Sequence, residues 1–371
     1  MLYRKYRPST FEDIIGQDII VTVLRNFLKN EEKLPQGYVF AGQRGTGKTT
    51  TARIFAKTLN CQNAKNDPCD TCMTCDLINK NQFLDLVEID AASHRGIDEI
   101  RNLKEHIGFR PLQGKYKVFI LDEAHMLTAP AWNALLKTLE ELPKTVIFIL
   151  ATTEPEKIPN TILSRVQRFD FRRIGLVDMV EKLKKICAQE DIPYEEGALY
   201  MIAEESQGAM RDAETMLEKM SLSIKEKKGV TETLVEEFLG KLSAHKILEF
   251  LQSIIAQDHE AALNFIQSVY QEGFDLIHFN KEALRIVREL LILKVHPQWK
   301  NQLSRQYPVD VLEKIEEVAK TGSAGLFRRL LKIFLHCEMQ LRREPPILTL
   351  PLEIAVVEGI AIVKLSKKGG K

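Results

Sequence analysis

The sequence predicts an α/β domain, with a parallel sheet covered by helices on both faces, followed by two helical domains. Three observations predict it. Short apolar runs alternate with amphipathic stretches from residue 1 to about 170. A glycine-rich turn, GQRGTGKTT (42–50), joins one of these runs to a helix-like stretch. After Phe171 the strand signals stop, and apolar residues recur three and four apart to about residue 365.

Taken in order, the strand candidates are GYVFAG (37–42), DLVEID (85–90), KVFILD (117–122) and TVIFILAT (145–152), each followed by a turn signal or a helical period. Residues 176–240 read as short amphipathic helices, broken near Asp191-Ile192-Pro193 and Lys228-Gly229. Longer helices follow: AHKILEFLQSIIAQ, HEAALNFIQSVYQ, DLIHFNKEALRIVRELLILKV, GLFRRLLKIFLHCEMQLRR and PLEIAVVEGIAIVKL. The expected division is an α/β core at 1–173 with an insert at about 61–75, a small helical domain at 174–240, a helical bundle at 241–366 and a flexible tail at 367–371. No internal repeat is evident.

Composition bounds the function. The chain has 371 residues, 44 % hydrophobic and 28 % charged, with net charge +1. No global basic field draws it to nucleic acid or membrane, so any DNA contact must rest on local charge. No apolar run reaches the roughly 18–20 residues that span a bilayer. The N-terminal stretch MLYRKYRPSTFEDIIGQ lacks the apolar core of a signal peptide. These features predict a cytoplasmic protein with reduced thiols.

The stretch from Gly42 to Thr50 fits G-x-x-x-x-G-K-[ST] between a strand and a helix. Gly42, Gln43, Arg44, Gly45, Thr46 and Gly47 would turn backbone N–H groups toward phosphate oxygens. Lys48 would reach the β- and γ-phosphates of ATP, Thr49 would coordinate Mg²⁺, and Thr50 would complete the nucleotide-binding stretch. VFILDEAH (118–125) supplies the acids: Asp122 for Mg²⁺, and Glu123 to deprotonate the attacking water. Two acids after a strand also suit a solvated helix N-terminus, but the phosphate loop favours the site. A DEAH-type helicase would need a second motor domain with strands, and the chain turns helical instead.

Four of six cysteines lie within CQNAKNDPCDTCMTC: Cys61, Cys69, Cys72 and Cys75. Two overlapping C-x2-C steps bring four sulfurs to one point, which suits a closed, structural Zn²⁺ site. By ligand count an iron–sulfur cluster is the alternative. The cluster interrupts the stretch between the phosphate-loop helix and the next strand, so it is an insertion folded by its metal. Cys187 and Cys337 sit alone in helical periods and read as core residues.

YRKYRPSTFEDIIGQ, GQRGTGKTT, the four-cysteine insert, LDEAHML, ALLKTLEELP, LATTEPEKIPNTILSRVQRF and GAMRDAETML occur in this order. The chain resembles the bacterial DNA polymerase III gamma/tau family, the AAA+ ATPase motors of the replicative clamp loader, over about residues 1–365. The resemblance implies an AAA+ core, a helical lid and a helical collar that holds subunits in a ring. It implies that Arg165, in the Ser164-Arg165 pair, is an arginine finger acting on the neighbouring subunit's ATP. Thr152 and Thr153 match sensor 1, and Arg211 matches sensor 2. Tyr6, Arg7 and Pro8, with Ile15, Gly16 and Gln17, match the segment that borders the adenine. Arg101 and Lys137 match basic positions facing DNA, with Arg95 and Asn133 close by; Gly96 stands at one position that is basic elsewhere in the family.

The implied partners are delta and delta-prime subunits, further copies of this chain, the beta sliding clamp and primed DNA. Polymerase and helicase contacts belong to a C-terminal region of longer members that is not in this sequence. A polymerase (nucleotidyltransferase) label would come only through holoenzyme membership, and the implied location is at replication forks on the nucleoid. The competing reading is a zinc-containing scaffold that binds ATP without turnover. A Holliday-junction or other hexameric motor is disfavoured by the collar and the insert.

Overall fold

The structure is a computed structural model and describes residues 1–94, 96–223, 229–343 and 345–368. The chain divides into two compact units. The first comprises Met1–Met179 with Ser206–Thr215, and the second Val180–Glu205 with Met216–Lys371. Residues 206–215 thus group with the ATPase core, while their flanks group with the helical remainder.

The first unit is built on five parallel strands: β1 (Gly37–Ala41), β2 (Leu86–Asp90), β3 (Lys117–Asp122), β4 (Val146–Thr152) and β5 (Gln167–Asp170). Their order is β2-β3-β4-β1-β5. Four of them lie where the apolar runs predict. The fifth was not anticipated: QRFD offers one apolar residue, Phe169, and the other three side chains are exposed. It pairs only with β1, as an edge strand does.

Alternation along the central strands serves two cores. Tyr38 and Phe40 of β1 pack with Phe11, Phe55, Ile147, Ile149 and Phe169 on one face. Val39 and Ala41 pack with Phe119, Phe148, Leu150, Trp132 and Leu135 on the other. Period-two side chains that are apolar on both faces are what a parallel sheet covered by helices requires. The phosphate-loop helix (Lys48–Asn60) supplies Phe55 to the first core, and the helices Ile97–Ile107 and Ala129–Glu140 supply Ile100, Leu103 and Trp132 to the second.

The second unit is helical in its described residues apart from one isolated bridge, Tyr194 to Val230. Its longest helices are Leu276–Val295, Ala324–Leu341 and Leu350–Lys368. They share one core with Ala244–Ala256 through Phe250, Phe279, Leu290, Phe334 and Val356. Ser243, Asp258, Asp275 and Ser323 each cap a helix N-terminus with a side-chain oxygen. Cys187 and Cys337 are buried as expected, and burial pushes their thiols up to about 11 and about 12. Among the described residues no helix is long and apolar enough to cross a membrane.

Candidate functional site

Strand ends and one helix start converge in the first unit. β1 delivers the chain into Gly42–Thr50, which leads directly into Lys48–Asn60. Gly42 has φ +148°, and Gly45 has φ +78° with its carbonyl accepting from the Met210 N–H at 3.1 Å. The Thr46 hydroxyl donates to the Gln43 carbonyl at 2.8 Å and fixes the turn from within. Lys48 is buried, and its ammonium donates to the carbonyls of Gly42 and Gln43 at 2.8 and 2.9 Å. Burial pushes Lys48 below the ordinary lysine value, against the pull of Glu123 and Asp122.

The acids at the end of β3 meet the loop. The Thr49 hydroxyl donates to Asp122 Oδ2 at 2.8 Å, which places two hard oxygen ligands side by side, as a Mg²⁺ site needs. Asp122 Oδ1 accepts from the Glu123 N–H at 3.0 Å. Glu123 adopts a left-handed backbone, φ +47°, a conformation a non-glycine residue holds only when its surroundings fix it. Its Oε2 accepts from the Thr153 hydroxyl at 3.3 Å. Thr152, the last residue of β4, is fully buried. A cavity of about 560 Å³ opens beside the loop, lined by Gln43, Arg44, Thr153, Pro155, Asp170 and Arg173 among others.

The N-terminal segment reaches the same place. Arg7 Nε donates to Thr50 Oγ1 at 3.2 Å. Burial, and then the nearby Arg53, lower the Arg7 value, while Glu88 and Asp122 raise it. Gln17 is buried and spans the backbone of Arg172, donating to its carbonyl at 2.7 Å and accepting from its N–H at 3.2 Å. That fastens Ile15-Gly16-Gln17 beside the residues just after β5. Tyr6 just precedes the first of these anchors and Pro8 lies between them, and Lys5 sits 5.7 Å over the Tyr6 ring. The Arg211 guanidinium lies 4.8 Å over the ring of Tyr3, a residue the sequence motifs did not single out.

Arg165 is turned elsewhere. It pairs with Glu140 at 2.7 Å and donates to the Thr161 carbonyl and the Ser164 hydroxyl. Asn133 and Lys137 are exposed one helical turn apart, and Arg101 is exposed and paired with Asp98 at 3.0 Å. Their two helices share one core beneath the sheet. Arg95 lies outside the described residues.

The four cysteines of the insert meet. Their Sγ atoms all lie within 4.8 Å of one another, and Cys61 and Cys72 are 3.9 Å apart. A tetrahedral Zn²⁺ with 2.3 Å bonds separates its sulfurs by about 3.8 Å, so the donor set fits. Backbone N–H groups aim at the sulfurs, Cys69 N at Cys61 Sγ and Cys72 N at Cys69 Sγ, as they do at thiolates. The Thr71 N–H and hydroxyl pull the Cys69 thiol down to about 6, while burial pushes Cys75 up.

The insert is fastened to the core by its acids. Asp67 accepts the Phe11 N–H at 2.6 Å and pairs with Arg25. Asp70 pairs with Lys57, which is buried on the phosphate-loop helix and also donates to Asn79 at 3.1 Å. Cys61 itself caps the C-terminus of that helix.

The chain matches known families along most of its length. Residues 16–175 match the family "DNA polymerase III, delta subunit". Residues 178–219 match the "DNA polymerase III clamp loader subunit, ATPase lid domain". Residues 230–368 match "DNA polymerase III subunits gamma and tau domain III". DNA polymerase III subunit tau of Bacillus subtilis is 39 % identical over 96 % of this chain and 62 % of its own length. Subunit gamma/tau of Mycoplasma genitalium is 43 % identical over 78 % of this chain and 48 % of its own length. Subunit gamma of Buchnera aphidicola is 36 % identical over 87 % of this chain and 86 % of its own length. The chain therefore spans about half to two thirds of the first two relatives and most of the third. With a phosphate loop on a five-stranded parallel sheet, a lid match and a helical C-terminal region, it belongs to the DNA polymerase III gamma/tau family.

Proposed function

We propose that this chain is the ATP-hydrolysing motor subunit of a bacterial replicative clamp loader. With delta and delta-prime subunits and further copies of itself it would open the beta sliding clamp and close it on primed DNA. The observation that carries the proposal is the meeting of Lys48, Thr49, Asp122 and Glu123 at the phosphate loop of a gamma/tau family chain. Lys48 and the loop amides bind the phosphates of ATP. Thr49 and Asp122 would hold Mg²⁺, which when bound supplies positive charge against the β- and γ-phosphates. Glu123 accepts the proton of the water that attacks the γ-phosphorus as the bond to ADP breaks.

Thr152 and Thr153 keep the end of β4 in register with that carboxylate. Arg211 reads nucleotide state as sensor 2, and Arg165 serves the next subunit's ATP, in keeping with its contacts away from its own loop. Arg7, with Tyr6, Pro8 and Ile15-Gly16, borders the adenine. Cys61, Cys69, Cys72 and Cys75 hold one structural Zn²⁺. Arg101, Asn133 and Lys137 touch DNA phosphates, with few contacts per subunit multiplied by assembly. The lid (174–240) and collar (241–366) belong to the same reading, as do a cytoplasmic location and a polymerase label held only through the holoenzyme.

The test is phosphate release by the full chain assembled with partner subunits, clamp and primed DNA. Lys48→Ala is expected to lose ATP affinity. Glu123→Gln is expected to bind ATP and to hydrolyse it on the order of 10²-fold more slowly. A scaffold that binds ATP without turnover would show binding and no DNA-stimulated release in the parent itself. Parental turnover by Glu123→Gln would remove Glu123 from the chemistry.

A further inference from the structure

His125 is buried between the ends of two neighbouring strands, and none of the roles above uses it. It follows β3 by three residues, and its ring faces the turn that leaves β4, which is paired with β3 through Leu121 and Leu150. Its side chain is 8 % exposed. Nε2 lies 3.2 Å from Glu154 Oε1, and Nδ1 lies 3.1 Å from Thr152 Oγ1 and 3.5 Å from Glu123 Oε2.

One arrangement of protons fits the two hydrogen bonds of the ring. Thr152 Oγ1 already accepts the Glu154 N–H at 3.0 Å, so its own proton is free to be donated. Glu154 is held ionised by Lys157, whose ammonium donates to Oε2 at 2.8 Å, so Oε1 can only accept. A ring with a proton on Nε2 and a lone pair on Nδ1 meets both neighbours: Nε2–H donates to Glu154, and Nδ1 accepts from Thr152. Thr153, the next residue, is then aimed so that its hydroxyl donates to Glu123 Oε2. Among the described residues Glu123 Oε1 has no protein partner, which is the state a base needs toward water.

We propose that His125 is a positioning residue for Glu123: it ties the Glu123 turn to the Thr152–Glu154 turn, with Glu154 fixing the ring tautomer, so that Thr153 pins one carboxylate oxygen and leaves the other for water. The proposal rests on the hydrolytic reading of Glu123. A base that swings loses the near-attack geometry on which its rate depends. ATP affinity, set by the loop and Lys48, is untouched by this device.

The test separates hydrolysis from binding in the full chain assembled with its partner subunits and primed DNA. Single-turnover ATP hydrolysis and ATP affinity are measured for His125→Ala, His125→Asn and Glu154→Gln, with Glu123→Gln as reference. His125→Ala is expected to slow hydrolysis about tenfold or more with ATP affinity within about twofold of the parent. His125→Asn, whose amide oxygen can stand near the Nδ1 position and accept from Thr152, is expected to recover most of that loss. His125→Ala hydrolysing within about twofold of the parent, or His125→Asn as slow as His125→Ala, overturns the proposal.

Where His125→Ala does not fold, Glu154→Gln decides. A hydrolysis rate about threefold or more below the parent at unchanged affinity supports the proposal, and the parental rate overturns it. Glu123→Gln reports separately. If it hydrolyses normally, the hydrolytic reading fails whatever the His125 variants do.

Discussion

At Gly42 a Cβ would stand 2.6 Å from the Phe171 carbonyl oxygen and 2.9 Å from the Phe171 Cβ, on a backbone with φ +148°. No L side chain meets both conditions without moving the residue after β5 or the start of the phosphate loop. Gly42→Ala is therefore expected to cost about 1–3 kcal/mol of stability and to weaken ATP binding, measured by urea unfolding and nucleotide titration. The motif in the sequence points to Gly42 for phosphate binding. The second constraint comes from Phe171, which no local spacing announces. The same difference separates the other site residues. Lys48 and Thr49 are legible because their ligand geometry is encoded within nine residues of chain. His125 and Tyr3 are not, because their partners, Glu154 and Arg211, arrive by the order of strands and by the grouping of residues 206–215 with the core.

The helix Lys48–Asn60 begins in the phosphate loop and is capped at its C-terminus by Cys61 of the four-cysteine cluster, so the insert is an extension of the phosphate-loop element. Its sulfur spacing was readable from the two C-x2-C steps, whereas the anchors at Phe11, Arg25 and Lys57 were not. Elemental analysis is expected to give one zinc per chain, lost on replacing any two of the four cysteines. Loss of the metal is expected to raise amide exchange at residues 57–61 and 67–75 before the rest of the domain, measured by hydrogen–deuterium exchange. Finding iron instead would leave the cluster but change its chemistry. In the second unit, Asp275 accepts from the N–H groups of Ile277 and His278 at 2.8 and 3.1 Å. Asp275→Ala is expected to lower stability by about 1 kcal/mol in urea unfolding. Strand β5 was missed for an elementary reason: an edge strand with three exposed polar residues has no apolar run to betray it.

For the molecule as a whole, the sequence pattern distinguished the α/β core from the helices after Phe171, since period two and period 3.6 are separable in runs of this length. It did not foresee that Ser206–Thr215 would group with the core, because the links, among them the Met210 N–H to the Gly45 carbonyl and the Ile174 N–H to the Gly208 carbonyl, join residues far apart in the sequence. Assembly gives the sharpest test of Arg165. A head-to-tail ring places each such arginine at the next subunit, so Arg165→Ala should bind ATP and lose DNA-stimulated hydrolysis. Mixing Arg165→Ala with Lys48→Ala chains should restore part of it, because some interfaces then join an intact finger to an intact loop; mixed assemblies with no recovery would mean that the arginine acts in cis or is structural only. The fastening of the first seventeen residues bears also on synthesis. Gln17 waits for the backbone of Arg172, 155 residues later, and Phe11 for Asp67, 56 residues later. Gln17, which emerges before every strand of the sheet, is thus among the last residues of the domain to be secured. A nascent chain halted with residue 150 just emerged should still be cut by protease near Gln17, and one halted after residue 190 has emerged should resist there.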